Sequence, residues 1–249
     1  MKIKLNFNKT LEENAGLYFE KAKKARKKLE GAKKALELSK QSIADSQKQK
    51  SKPAREKKPA KKEWFDDFRW FISSDGFLVI GGRDAETNDI IVRKHLEKDD
   101  LVFHTELPGS PFAVVKAEKK TIPEKTMVEA AEFCASFSRA WKQGFATSDV
   151  YQIKPEQVKK ELGLPKGTFM IYGDRKYYRP ALTVGLGLYN GKVMAGPVFA
   201  VKKHCKEFVE LGQGGEKPSD IAKSIRKKLG AELDEIIKAL PAGSFRLKK

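Results

Sequence analysis

Two cysteines in 249 residues, Cys134 and Cys205, are too few for a disulfide framework, and no CxxC pair or Cys/His cluster offers the spacing of a zinc site. Histidine is as scarce: His95, His104 and His204 stand apart, with no HExxH. A nucleophile elbow and a Walker sequence are also missing. No run approaches the roughly 18 apolar residues that span a bilayer, and the opening MKIKLNFNKT has no hydrophobic signal core. These absences argue against a secreted disulfide scaffold, a membrane protein and the commoner hydrolases. They point to a cytoplasmic protein with no catalytic residue, cofactor or metal ligand to nominate. For a metal-dependent nuclease only generic acids such as Asp75, Asp84 and Asp174 are at hand, and a two-metal centre needs several convergent carboxylates.

What the chain has in excess is positive charge. Lys and Arg number 51 against 33 Asp and Glu, a net +18, which suits a partner of dense negative charge, nucleic acid first. Residues 1–63 hold 20 basic and 8 acidic residues, net +12, and the other 186 hold 31 and 25, net +6. An arm of this kind gains affinity by displacing counterions from phosphates, an effect that is blind to sequence and sensitive to salt.

The composition divides the chain into three. Residues 1–46 form a basic, coiled-coil-like helix in which Leu11, Ala15, Tyr18, Ala22, Ala25, Leu29, Ala32, Leu36, Ser39 and Ile43 recur at spacings of four and three. A partner helix is implied, although the alanine-rich seam would bury little area. Residues 47–62, QKQKSKPAREKKPAKK, carry two prolines, many like charges and almost nothing apolar, the composition of a flexible linker. Residues 63–249 read as a domain of class α+β, a mixed β-sheet flanked by helices. Strands are expected at 77–81, 101–105, 112–117, 150–153, 168–172, 181–189 and 208–211, and helices at 85–96, 124–141, 219–229 and 231–239. Trp64, Trp70 and Trp141 read as core.

Candidate nucleic-acid contacts follow from local chemistry. Arg83 leaves a strand after Gly81-Gly82, where small residues would let a phosphate approach backbone N–H groups while the guanidinium binds it. Asn88 and Lys94 lie near the ends or polar side of the helix that follows. His104 ends an apolar strand close to the turn at Ser110, where an imidazole could meet a phosphate or a 2′-hydroxyl. Lys154, Gln157 and Lys159, with Arg175 and Lys176, are interleaved with Tyr151, Tyr172, Tyr177 and Tyr178, a pattern that suits backbone neutralisation with base stacking.

The order strand, Gly-Gly-Arg, helix, strand, His, Pro-Gly-Ser from Trp64 to Pro111 resembles the RNA-binding NFACT-R domain of the NFACT proteins, which act in ribosome-associated quality control. FSRAWKQG (137–144), DVYQIKPEQVKK (149–160), KGTFMIYGDRKYYR (166–179) and VMAGPVFAVKKH (193–204) resemble successive blocks of that domain. Residues 13–37 resemble the helical segment before it. The chain reads HTELPGSP where archaeal members often have a second histidine, here Pro108. The resemblance implies a non-enzymatic module that binds rRNA of the large ribosomal subunit and tRNA in the rescue of stalled ribosomes. An NFACT-N domain has no counterpart here, so a separate NFACT-N-containing chain or another coiled coil is an expected partner of the seam. A DNA-binding or coiled-coil scaffold protein is the alternative.

Overall fold

The computed structural model describes residues 4–48 and 62–248 and divides the chain into two compact units, Met1–Pro59 and Ala60–Lys249. Most of the linker read at 47–62 lies outside the described residues. In the first unit a 38-residue helix, α1 (Leu11–Lys48), starts at a reciprocal cap: Glu13 N–H donates to Thr10 Oγ1, and Thr10 N–H donates to Glu13 Oε2. Asn14 is buried beneath the turn before it, its Nδ2 donating to the carbonyls of Asn6, Lys9 and Thr10. Leu11, Leu29 and Leu36 of the seam are exposed.

The second unit runs through β1 (Arg69–Ile72), β2 (Leu78–Gly81), α2 (Ala85–Ile90), β3 (Leu101–Thr105), β4 (Ala113–Val115), α3 (Glu124–Ser136), α4 (Arg139–Gln143), β5 (Val150–Ile153), β6 (Val158–Lys159), β7 (Met170–Ile171) and β8 (Lys176–Tyr178). It continues with β9 (Val184–Tyr189), β10 (Lys192–Gly196), α5 (Val198–His204), β11 (Phe208–Glu216), α6 (Pro218–Leu229), α7 (Leu233–Ala239) and β12 (Phe245–Leu247). The unit is α+β. Its main sheet has the order β1-β2-β4-β3-β5-β8, a second β10-β9-β11-β12, and β6 and β7 form a small ribbon. In place of a mixed sheet, every pairing among these strands is antiparallel.

Helix α3 packs on β3, β4 and β5, with the Phe133 ring 5.1 Å from that of Phe71. Trp141, Phe71, Phe103 and Phe133 are among the largest fully buried side chains. Close glycines join the layers: a Cβ on Gly81 would meet Phe133 at 2.7 Å, and one on Gly196 would meet Phe71 at 2.7 Å. A buried ion pair holds the start of β3, where Asp100 Oδ2 takes a 2.6 Å bond from Lys116 Nζ and Asp100 Oδ1 accepts from Ala117 N–H.

Several sequence expectations need correction. The helix read over 85–96 is α-helical only to Ile90 and continues as a π-helical turn, Ile91–His95. The helix read over 124–141 breaks after Ser136, where Ser138 takes extended dihedrals and its Oγ accepts from Ala140 N–H to start α4. β1, β6, β8, β10, β12 and α5 have no counterpart in the sequence reading. Trp70 and Trp141 are core, but Trp64 is 45% exposed and stacks on His95.

Candidate nucleic-acid interface

A cleft of about 370 Å³ opens where the β2–α2 loop, the turn before β4, the start of α4 and the 166–168 loop meet. Its walls carry Arg69 from β1, Arg83, Arg139 and Lys142 from α4, and Lys166, against Asp84 as its acidic residue. Lys166 is paired with Glu86 at 2.8 Å. The other four cations have no carboxylate within 4.0 Å among the described residues.

The two inner arginines are held from behind. Arg69 Nη1 donates to the Gly82 carbonyl at 3.0 Å, and its guanidinium lies 5.4 Å from the Phe137 ring centre. Arg83 Nη2 donates to the Phe68 carbonyl at 2.9 Å and to that of Asp66 at 3.2 Å. Burial, with the like charge of Arg83, pulls the Arg69 pKa down to about 10. Burial also lowers Arg83, opposed by Asp67, Asp84 and Asp66. Those carboxylates are engaged elsewhere: Asp66 with Lys192, Asp67 with Lys62, and Asp84 as the cap of α2 through Thr87 N–H.

The glycines have a different role from the amide cradle read at Gly81-Gly82. Gly82 N–H faces the Phe112 carbonyl at 3.4 Å and Arg83 N–H donates to Thr87 Oγ1, so neither amide is free for a phosphate. A Cβ on Gly82 would lie 1.9 Å from Asn88 Oδ1. Asn88 is itself a brace: Oδ1 accepts from Phe112 N–H at 2.9 Å, and Nδ2 points to the Ser110 carbonyl at 3.4 Å. At the opposite wall Gly109 has φ +94°, and the Arg139 guanidinium lies across its Cα, 3.1 Å from where a Cβ would stand.

The sequence-nominated residues fall in three places. Arg83, Asn88 and Ser110 line this cleft, Ser110 as a buried acceptor for Thr105 N–H. Lys94 lines a separate shelf with Trp64 and His95, whose rings stack at 4.7 Å and 15°. The others surround the small ribbon and β8. Gln157 spends its amide on the chain, Nε2 donating to the carbonyls of Tyr172 and Asp174 and Oε1 accepting from Lys154 N–H. Lys159 lies 5.7 Å over the Tyr172 ring. Arg175 is paired with Glu106 at 3.0 Å and lies over Tyr151, and Lys176 is paired with Glu124 at 2.9 Å. Tyr172 and Tyr177 remain exposed beside them.

His104 differs from a phosphate ligand. Its Nδ1 faces the Thr105 carbonyl at 2.8 Å and the ring lies against Phe112. Burial brings its pKa down to about 4, so the imidazole is neutral at pH 7. With the proton on Nδ1, Nε2 is an acceptor, suited to a hydroxyl and unsuited to a phosphate. Two of the acids named for a nuclease serve the fold. Asp84 caps α2, Asp75 accepts from Thr126, and no group of three or more His, Cys, Asp or Glu able to hold a metal occurs among the described residues.

Sequence reasoning missed Arg69, Arg139, Lys142 and Lys166. Arg139 and Lys142 stand in the FSRAWKQG block, where the signal was the Ser138 cap after Phe137.

Fold and cleft together define a class: an antiparallel α+β domain with a concave, cation-lined face. Residues 67–173 match the family described as NFACT protein RNA binding domain. An archaeal Rqc2 homolog, aRqcH, from Methanocaldococcus jannaschii is 39% identical over 207 residues, 78% of this chain and 31% of that protein. The ribosome quality control complex subunit NEMF homolog of Drosophila melanogaster is 34% identical over 174 residues, 67% of this chain and 17% of that protein. NEMF of Homo sapiens is 34% identical over 165 residues, 64% of this chain and 15% of that protein. The chain belongs to the NFACT family and carries its RNA-binding domain. It spans less than a third of the length of these three relatives.

Proposed function

We propose that this chain is a non-enzymatic RNA-binding module of ribosome-associated quality control, working in the cytoplasm on the large ribosomal subunit and tRNA. The relatives named as ribosome quality control proteins support the process, and the cleft supports the chemistry. The carrying observation is that Arg69, Arg83, Arg139 and Lys142 converge with no carboxylate partner within 4.0 Å among the described residues. Such charge is costly to gather unless an anion neutralises it. The exposed tyrosines by Arg175 and Lys159 offer stacking surfaces at a second patch.

The test is titration of the chain with a structured RNA and with duplex DNA of equal length across a salt series, beside sedimentation with purified large subunits with and without tRNA. Tighter binding to RNA and co-sedimentation enhanced by tRNA are expected. Equal affinities with one salt slope would instead favour a DNA-binding or scaffold role. The exposed leucines of α1 favour a further element, docking of the arm on a coiled-coil partner, which a separate NFACT-N-containing chain would provide.

A further inference from the structure

The donors of the cleft are incompletely used, and this narrows what it takes. A guanidinium has five N–H bonds. Arg69 places Nη1 on a protein acceptor and Arg83 places Nη2, while Nε of each is buried without any partner. Two unfilled guanidiniums side by side carry both a desolvation cost and mutual repulsion, and one anion relieves both. A volume of about 370 Å³ is at the small end for a ligand pocket, too small for a helix and adequate for one nucleotide. The flanking amides of Gly82 and Arg83 are occupied, so recognition falls to side chains.

We propose that the cleft is a pocket for a single nucleotide phosphate, gripped by the guanidiniums of Arg69 and Arg83 and closed at its rim by Arg139 and Lys142. This rests on the RNA-binding reading above and adds to it a discrete anchoring point, distinct from diffuse attraction to the basic arm. The phosphate comes either from a strand end or from an internal linkage at a sharp bend.

Side-chain NMR of the full chain with ¹⁵N-labelled arginine tests it, because Nε–H groups shielded from water give observable resonances. Inorganic phosphate is the first probe, followed by 5′-phosphorylated and 5′-hydroxyl forms of one oligoribonucleotide. Saturable shifts of the Arg69 and Arg83 Nε–H signals are expected with phosphate and with RNA. Arg139→Ala, an exposed position that leaves the core intact, should weaken phosphate binding at least fivefold without shifting the unfolding midpoint. A preference for the 5′-phosphorylated strand assigns the phosphate to a strand end, and equal shifts assign it to an internal linkage. RNA binding with neither arginine signal moving would overturn the pocket and leave the RNA reading standing. Saturable phosphate shifts in a chain that does not bind RNA would uphold the pocket and overturn that reading.

Discussion

Gly82 shows how tightly single positions are determined around the cleft. With Asn88 Oδ1 lying 1.9 Å from where its Cβ would stand, Gly82→Ala displaces the amide that braces Phe112 and Ser110, and should cost about 2–3 kcal/mol in urea unfolding. Asp100 is a second such position. It holds the buried Lys116 ammonium, Glu97 N–H and Ala117 N–H together, so Asp100→Ala should destabilise by about 3 kcal/mol: two backbone N–H groups lose their acceptor, and Lys116 keeps only Glu97 and the His95 carbonyl. The same unfolding series measures it. Arg83 could be nominated from sequence because it follows a strand and two glycines, but the reason for the glycines was not legible. They make room for Phe133 and Asn88, residues remote in the chain. Trp64 was misread because an indole suits a core and a shelf equally well.

At the scale of elements, local pattern carried most of the reading and failed where pairing decides. β3 and β5 were found at their observed bounds by their apolar runs. β8, with the sequence KYY, and β10, with KVMAG, have no such run and are strands because β5 and β9 pair with them. The break between α3 and α4 sets the direction of Arg139 and Lys142, and it depends on Ser138, whose Oγ also donates to the Ala135 carbonyl at 2.7 Å. Ser138→Ala should therefore cost about 1 kcal/mol by thermal unfolding. It should also weaken RNA binding in an electrophoretic or anisotropy titration, since α4 loses its anchor. The cleft itself was out of reach of periodicity: its cations come from β1, the β2–α2 loop, α4 and the 166–168 loop, which only the sheet order brings together.

For the whole molecule, charge and protonation set the measurable behaviour. Residues 1–63 contribute +12 of the net +18, so a chain lacking residues 1–62 should bind RNA less tightly and with a shallower dependence of log affinity on log salt. An unchanged slope would show that the arm makes no phosphate contact. Acid should weaken the fold through His104. Its pKa is about 4 in the folded chain against an ordinary 6.5, so the unfolded chain binds the extra proton between those values. Stability from the neutral ring is complete above about pH 6.5, falls as pH drops toward 4, and changes little further below. The difference in melting temperature between wild type and His104→Gln, followed from pH 7 to 4, should shrink in that window.

The stack of Trp64 on His95 makes the domain its own optical gauge. An imidazolium in contact with an indole quenches its fluorescence, and a neutral imidazole does so far less. Burial, then the charges of Lys116 and Lys94, holds the His95 pKa below its ordinary value. The red-shifted emission of exposed Trp64, separable from that of buried Trp70 and Trp141, should thus stay bright at neutral pH and dim only in acid. A base stacked on the exposed face of the Trp64 indole would alter the same signal, reporting contact at the shelf without any added dye.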